Sequence, residues 1–224
     1  MKSLYERLSE DVRFREGMNA CMNCGTCTAI CPAAEFYDYD PRKVVISVQQ
    51  KNDAELERLL KSNTIWYCGE CMSCVTRCPR NNAPGLIIMA LRALSQETGF
   101  FMFSEKGRQQ IVLKRNVGES ILKYGYCVYA RNVLPDIHPE AGPVWEWEHA
   151  HLEEVFERLH GNLDQRGPGA LRKIPQSDLD ELQRIFDITG NTDMFNFIEK
   201  CSEDKAKELG LSMEEYVDKV SFNK

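Results

Sequence analysis

The sequence predicts an all-α fold, because apolar residues recur every three or four positions and helix start signals precede several of these stretches. Two cysteine-rich segments stand in the N-terminal half of the 224-residue chain. The 36 residues between Cys31 and Cys68, the last cysteine of one segment and the first of the other, also have a helical rather than an alternating period. The expectation is therefore a helical domain organised around two cysteine segments.

The two cysteine segments share one spacing. Cys21–Pro32 reads CMNCGTCTAICP and Cys68–Pro79 reads CGECMSCVTRCP, so both follow C-x₂-C-x₂-C-x₃-C-P. In two-cluster ferredoxins this run binds [4Fe–4S] clusters: its first three cysteines ligate one cluster and its fourth ligates the other. The rule assigns cluster I to Cys21, Cys24, Cys27 and Cys78, and cluster II to Cys68, Cys71, Cys74 and Cys31.

Zinc and disulfide bonds are the alternative uses of these cysteines. A structural zinc site takes two separated pairs of ligands, so the third and fourth cysteines of each run have no place in it. A disulfide scaffold is typical of secreted chains shorter than about 80 residues. Met1–Phe14 is charged throughout and lacks the apolar segment of a signal peptide. We therefore expect a soluble protein of the reducing cytoplasm whose thiols are available to iron.

The first helix is predicted over residues 3–16. Ser3 and Glu6 form a capping-box pair at its start, and Gly17 is a plausible stop. The helix leads directly into the first cysteine run.

Two helices are predicted between the cysteine runs. Asp40-Pro41 reads as an N-cap followed by proline at the first helical position, and Asn52 or Asp53 caps the second helix. Small β-type ferredoxins join their motifs by short strands and turns, so this helical linker indicates an α-helical ferredoxin with two [4Fe–4S] clusters. The residues expected to face inward are Val44, Val45, Val48, Leu56, Leu59 and Leu60.

Beyond the second run the pattern remains helical. A helix should span Pro84 to about Thr98, with Gly99 at its C-terminus, and another should span 104–125. Proline and glycine interrupt the periodicity over 126–143, which we interpret as a surface connector. Further helices are predicted over 144–160, 177–189, 192–201 and 212–220, with Ser177 and Ser212 as N-caps.

The chain thus divides into a two-cluster domain (1–125), a connector (126–143) and a helical C-terminal extension (144–224). Residues 1–144 carry 18 Lys/Arg and 16 Asp/Glu, whereas 145–224 carry 10 and 18, so the extension is acidic. The net charge of −6 and the lack of a basic run argue against nucleic-acid binding. The acidic extension is either an ordinary solvated helical surface or an acidic docking face.

Several other residues carry weaker signals. Trp66, next to the second run, is either a packing residue, which we favour, or a stepping-stone for electrons. Cys127 and Cys201 lie outside both runs and are expected to be ordinary free thiols. His149 and His151 do not share a helical face, which disfavours a metal site there.

The motifs of bond chemistry are missing from the sequence. It has no G-x-G-x-x-G or Walker-type phosphate loop and no visible Ser/His/Asp or Cys/His constellation. Its most apolar stretch, Ala83–Leu94, is shorter than the roughly 18 residues of a membrane span. We therefore predict a non-catalytic electron-transfer subunit that passes electrons one at a time between other subunits.

Two such runs joined by a helical linker, with Ile65-Trp66-Tyr67-Cys68 opening the second, resemble the C subunit of heterodisulfide reductase over about residues 5–105. The same module occurs in the iron–sulfur subunits of anaerobic glycerol-3-phosphate dehydrogenase and of succinate dehydrogenase. The resemblance implies two partners. One is an A-like subunit that contains flavin and Fe–S clusters. The other is a B-like subunit whose cysteine-rich CCG motifs reduce or oxidise a disulfide.

Alternatives remain open at this point. The module also suits the cluster subunit of a flavin dehydrogenase acting on glycerol 3-phosphate or a 2-hydroxy acid, or a cluster-based sensor without electron flow. Within the heterodisulfide reductase type, the complex is either a methanogenic one or one of the similar sulfur-oxidising assemblies. The tail after about residue 126 favours the second.

Overall fold

The computed structural model describes residues 2–136 and 138–222, and every regular element in these two ranges is a helix. This confirms the all-α expectation. The α-helices are α1 (Leu4–Glu10), α2 (Val12–Gly17), α3 (Thr26–Ala29), α4 (Ala33–Phe36), α5 (Pro41–Gln49), α6 (Asp53–Leu60), α7 (Pro84–Glu97), α8 (Glu105–Arg108), α9 (Gln110–Leu113), α10 (Glu119–Tyr124), α11 (Gly142–Ala150), α12 (Leu152–Arg158), α13 (Gln176–Ile188), α14 (Asn191–Glu208) and α15 (Met213–Phe222). Short 3₁₀ turns occupy Thr64–Tyr67, Phe100–Phe103, Ala130–Asn132 and Pro139–Ala141, and Lys114–Gly118 forms a π turn.

The chain groups into two compact units. One comprises Met1–Gln109 with Lys200–Lys224 and contains both cysteine runs; the other is Gln110–Glu199. The C-terminal helix is tied to the first unit where the Gln109 side chain donates to the Val220 carbonyl at 3.0 Å. The division into 1–125, 126–143 and 144–224 rests on composition and stays a prediction. None of the described helices is long and apolar enough to cross a membrane.

The N-terminal segment forms two helices instead of the one expected over 3–16. The Ser3–Glu6 capping box is present, as predicted. The helix breaks at Asp11, whose carboxylate accepts the Arg13 N–H at 2.8 Å and so caps α2. Gly17 ends α2, and its carbonyl accepts the Ala83 N–H at 2.8 Å. A Cβ at Gly17 would lie 3.1 Å from the Ala83 carbonyl oxygen, so glycine permits this close approach of α2 to α7.

The linker between the cysteine runs forms α5 and α6, as predicted. Asp40 caps α5 through the N–H groups of the next turn, and Pro41 follows at the first helical position. Asn52 caps α6, which decides between the two candidates. The six residues expected to face inward are all buried and belong to the main core: Val44, Val45, Val48, Leu56, Leu59 and Leu60.

The central element of the first unit is α7, which packs against α2, α5 and α6. It begins at Pro84 as predicted, and Gly99 follows its end with a left-handed φ of 75°. The apolar face of α7 includes Ile87, Ile88 and Leu91, each without exposed surface. The same helix therefore supplies both the core and, through its first residues, a wall of the functional site.

The helix expected over 104–125 is interrupted. Residues 105–108, 110–113 and 119–124 are short α-helices, and a π turn separates the last two. Two glycines in this segment make close contacts. A Cβ at Gly107 would lie 2.1 Å from the Phe101 carbonyl oxygen, and one at Gly118 would lie 2.5 Å from the Phe195 ring. Gly118 has helical backbone angles, φ −63° and ψ −49°, so it permits the approach of Phe195 without itself breaking the helix.

The C-terminal half follows the predicted order with shifted boundaries. The expected helix over 144–160 is split at His151 into α11 and α12. The expected helix over 192–201 is longer and runs over Asn191–Glu208. Ser212 caps α15 in a capping box with Glu215, as predicted. Ser177 is not an N-cap, because α13 already begins at Gln176.

Asp53 provides a first test of how the N-terminal helix is held. Its carboxylate accepts hydrogen bonds from the N–H groups of Leu4 and Tyr5, both at 3.0 Å. Asp53, in α6, therefore provides acceptors for two backbone donors at the start of α1. Asp53→Ala should lower the free energy of unfolding of the cluster-loaded protein by about 1–3 kcal/mol, because two backbone donors lose an anionic acceptor. Urea unfolding under anaerobic conditions measures this change. Glu16→Ala, which removes an exposed carboxylate from α2, is the matched control; equal midpoints for the two variants would contradict the prediction.

Candidate iron–sulfur site

Two cavities open beside the cysteine runs, and each is lined by four motif cysteines. Cavity I is lined by Cys21, Cys24, Cys27 and Cys78, and cavity II by Cys31, Cys68, Cys71 and Cys74. Cavity II measures about 430 Å³ and cavity I about 20 Å³, so the sulfurs of cavity I enclose less free space. Each set combines three cysteines of one run with the fourth cysteine of the other. These are the two sets that the spacing rule names, and the assignment of individual sulfurs to iron stays a prediction.

The first half of each loop has the same backbone geometry. The Asn23 N–H donates to the Cys21 sulfur and the Glu70 N–H to the Cys68 sulfur, both at 3.4 Å. Asn23 and Glu70 also share a left-handed conformation, with φ of 59° and 54°. The conformation turns the N–H back toward the sulfur two residues earlier. Hydrogen bonds to cluster sulfurs are among the factors that set reduction potentials.

Hydroxyl groups occupy equivalent places in the two loops. Thr26 Oγ1 lies 3.3 Å from Cys24 Sγ, and Ser73 Oγ lies 3.5 Å from Cys71 Sγ. The hydroxyl contact lowers the pKa of each of these two thiols. Both thiols are exposed, so each loop presents one sulfur at the surface.

The loops differ at their second left-handed residue. Gly25 fills this position in the first loop with φ of 81°, whereas Met72 fills it in the second with φ of 57°. A non-glycine residue is disfavoured in this conformation by about 1–2 kcal/mol. The Met72 side chain lies against Gly85 of α7, where a Cβ would stand 2.7 Å from its sulfur. Glycine at position 85 thus makes room for the packing that holds Met72 in place.

The two cavities adjoin each other. Pro84, the first residue of α7, lines both of them. Burial raises the pKa of the Cys27 thiol, and the Cys74 thiol of the other set is close enough to add to that rise. Groups bound in the two cavities would therefore be neighbours, with Pro84 on the wall of both cavities.

Asn82 connects the fourth cysteine of the second run to the first loop. It is 2% exposed, and its backbone N–H and side-chain NH₂ lie 3.2 and 3.7 Å from the Cys78 sulfur. Its side-chain oxygen accepts the Asn19 N–H at 2.7 Å. The buried amide therefore places Cys78 against the segment that leads into the first cysteine run.

Arg92 of α7 holds the second loop. Its guanidinium donates to the carbonyls of Ile65 and Cys68 at 2.7 and 2.6 Å and to the Glu70 carboxylate at 2.5 Å. The same group lies 5.5 Å from the centroid of the Trp66 ring, within cation–π range. The Arg92 side chain thereby binds both ends of the segment 65–68, which leads into the second cysteine loop. The sequence shows Arg92 only as a charge in an apolar helix, with no sign of this role.

Buried donors on the cavity walls test whether the residues fit an iron–sulfur cluster. The Tyr39 hydroxyl and Trp66 indole N–H at cavity II, and the Arg42 Nε–H at cavity I, have no hydrogen-bond partner in the described part of the chain. A buried donor without an acceptor costs about 1–3 kcal/mol. Cluster sulfides and thiolates are acceptors, so these donors fit a cluster in each cavity. The charged residues on the described walls, Arg42, Arg80 and Lys106, are all cations and suit a group with four thiolates.

Tyr39 and Trp66 also have clear packing roles. Burial raises the pKa of the Tyr39 hydroxyl far above its ordinary value, so the group remains a neutral donor. Trp66 packs against the main core, in agreement with the packing role that the sequence favours. Neither donor is identifiable from the sequence, because nothing in the local pattern shows which side chains reach the cavity.

The remaining candidates lie elsewhere. Cys127 is exposed, Cys201 is partly buried, and neither lines the two cavities. His151 Nδ1–H donates to the Trp147 carbonyl at 2.7 Å instead of pairing with His149. Within residues 2–136 and 138–222, no three His, Cys, Asp or Glu side chains converge closely enough to hold a single metal ion. The cysteines of each cavity instead surround a volume, as a cluster with one thiolate on each of its four irons requires.

Comparison with known proteins agrees with this geometry. Residues 8–82, which include all eight motif cysteines, match the family model of the 4Fe-4S dicluster domain. The chain is 29% identical over 206 residues to the C subunit of the ferredoxin:CoB-CoM heterodisulfide reductase of Methanosarcina acetivorans, covering 91% of this chain and 76% of that one. It is 31% identical over 153 residues to a C-type iron–sulfur subunit of CoB–CoM heterodisulfide reductase from Methanocaldococcus jannaschii, covering 66% and 74%.

The fold and the two four-cysteine cavities define a two-cluster, all-α iron–sulfur protein that binds two [4Fe–4S] clusters. The chain belongs to the family of heterodisulfide reductase C subunits. It is accordingly an electron-transfer iron–sulfur subunit of an oxidoreductase complex.

The C-terminal tail does not distinguish this chain from the methanogen proteins, because the alignment with the Methanosarcina relative covers nearly the whole chain. The argument from tail length for a sulfur-oxidising complex therefore fails.

The Arg92 contacts predict a selective defect in the second cluster. Arg92→Lys keeps the positive charge, but its single nitrogen cannot reach the two carbonyls and the carboxylate that three separate guanidinium nitrogens contact. We expect the variant to lose about half of its iron and acid-labile sulfide, with the cluster of cavity I retained. Iron and sulfide analysis of anaerobically purified protein measures this. Arg108→Lys, at a residue that donates to the Met102 carbonyl and lines neither cavity, is the control; full iron content in both variants would refute the role of Arg92.

Proposed function

We propose that this chain relays electrons between an A-like subunit with flavin and iron–sulfur clusters and a B-like subunit with CCG motifs. The complex would be a cytoplasmic one of the heterodisulfide reductase type, acting on a disulfide or on another sulfur substrate. The observation that carries the proposal is the pair of adjoining cavities, each lined by four cysteines. The family of the chain supplies the type of complex.

The ligand assignment is part of this proposal. Cluster I is bound by Cys21, Cys24, Cys27 and Cys78, and cluster II by Cys68, Cys71, Cys74 and Cys31. Two observations support it: the same sets line the two cavities, and the Asn82 amide directs Cys78 toward the first loop. Thiolate ligation of all eight cysteines leaves none of them free as a nucleophile. The chain would thus carry electrons while a partner performs the chemistry on sulfur.

The surface around the clusters suits a relay with two ends. Cys24 of cavity I and Cys71 of cavity II are exposed, whereas Cys27 and Cys74 are partly buried. One sulfur of each cluster would therefore lie near a docked partner, and the two clusters would face each other across Pro84. An electron could enter at one exposed end and leave at the other without crossing the bulk of the protein.

Co-purification tests the proposed partners. A tagged chain expressed from its own genome and purified anaerobically should retain a flavoprotein with clusters and a protein with CCG motifs. Mass spectrometry of the bound chains identifies both. A flavin dehydrogenase as the sole stoichiometric partner would instead support the alternative function. A colourless protein with zinc and no iron would exclude any relay through clusters.

The crosswise ligation predicts an unusual pattern among cysteine variants. Cys78→Ala should impair the cluster of the first loop, since Cys78 supplies its fourth thiolate. The EPR spectrum of the reduced Cys78→Ala protein should therefore resemble that of Cys24→Ala and differ from that of Cys71→Ala. Cys201→Ala, outside both runs, controls for the loss of a thiol. A Cys78→Ala spectrum matching that of Cys71→Ala would mean that each run ligates its own cluster.

A further inference from the structure

Tyr39 is a buried donor whose purpose the fold alone does not explain. The residue is 4% exposed, lines cavity II, and its hydroxyl has no hydrogen-bond partner among residues 2–136 and 138–222. Its position is well defined, because its N–H donates to the Tyr37 carbonyl at 2.7 Å and its ring meets Tyr67 edge-on at 6.4 Å. The ring is therefore held by packing, and the acceptor within reach of the hydroxyl is the Cys68 sulfur, although the two are not in hydrogen-bond geometry.

The groups that face this hydroxyl belong to one cluster. Cys68 and Cys31, which come from different cysteine runs, are the thiols close enough to act on it, and Arg92 is the cation that does so. Both cysteines line cavity II with Tyr39. The hydroxyl thus lies close to two sulfurs that the two runs contribute to the same set.

We propose that Tyr39 donates a hydrogen bond to a thiolate of cluster II and thereby raises the reduction potential of that cluster. The proposal rests on the ligand assignment given above. Reduction adds one electron and one negative charge to the cluster without making or breaking a bond. A donor to sulfur stabilises this more negative form more than the oxidised one, which shifts the potential upward.

Cluster I serves as an internal reference for this effect. Its sulfur from Cys78 already receives hydrogen bonds from Asn82, and Tyr39 does not line cavity I. The two cavities therefore use different donors. A change at position 39 should be felt at one cluster and leave the other unchanged, whereas a general disturbance of the fold would affect both.

Potentiometric titration of the holoprotein, monitored by EPR, measures both potentials in one sample. Tyr39→Phe should reduce the equilibrium constant for reduction of cluster II about tenfold, which corresponds to a potential about 59 mV lower for one electron. Cluster I should keep its potential. Tyr37→Phe is the matched control: it makes the same chemical change on the same cavity wall, at a tyrosine that is 48% exposed. The signals are assigned to clusters I and II by reference to the Cys24→Ala and Cys71→Ala spectra.

A second variant keeps the test decisive if Tyr39→Phe binds iron poorly. Site-specific 3-fluorotyrosine at position 39 retains the hydroxyl and makes it a stronger donor, so it should raise the potential of cluster II. Unchanged cluster II potentials in these proteins, or equal shifts of both clusters, would overturn the role of Tyr39. This failure is distinct from failure of the proposed function, which would appear as a wild-type protein without two reducible clusters or as co-purification with a flavin dehydrogenase alone.

Discussion

The structure depends on one constraint: each set of four cysteines takes three sulfurs from one run and the fourth from the other. The two runs are far apart in sequence, so neither set is complete until the helices between them have packed. Binding free energy at such a site appears as folding free energy, since the unfolded chain cannot preform it. The crosswise arrangement therefore couples the two sites to each other and to the core formed by α5, α6 and α7.

Helix α7 contacts both cysteine loops and positions them relative to the core. Its first residue, Pro84, lines both cavities, and the side chain of Met72 packs against Gly85. Two turns later Arg92 binds the second loop through three hydrogen bonds. On the inner side, the Ser95 hydroxyl donates to the Leu60 carbonyl at 2.7 Å and joins α7 to α6. A single apolar helix thus positions the site and anchors it to the core.

Local signals in the sequence predict much of this fold. The capping box at Ser3, the cap at Asp40 and the start of α7 at Pro84 are all predictable, because each depends on residues a few positions apart. The two sets of cysteines are also predictable, since a spacing rule for known clusters carries long-range information. The sequence does not reveal the roles of residues whose contacts are made with parts of the chain that are distant in sequence. Asp53 caps α1 from another helix, and Asn82, Arg92 and Tyr39 acquire their roles only when the chain brings them to a cavity.

The charge of the C-terminal extension shows why composition alone is a weak guide to a docking face. Glu199 pairs with Lys114 and Arg115, and Arg131 pairs with Glu153 and Asp164. All of these residues belong to the unit Gln110–Glu199. Acidic residues of the extension are therefore neutralised in part by basic residues that the sequence assigns to the preceding segments. The two Arg131 pairs are exposed and contribute at most about 1 kcal/mol each, whereas Glu199 and its two partners are partly buried. In both places the pairing reduces the local excess of negative charge. This pairing favours an ordinary solvated surface over an acidic face reserved for a partner.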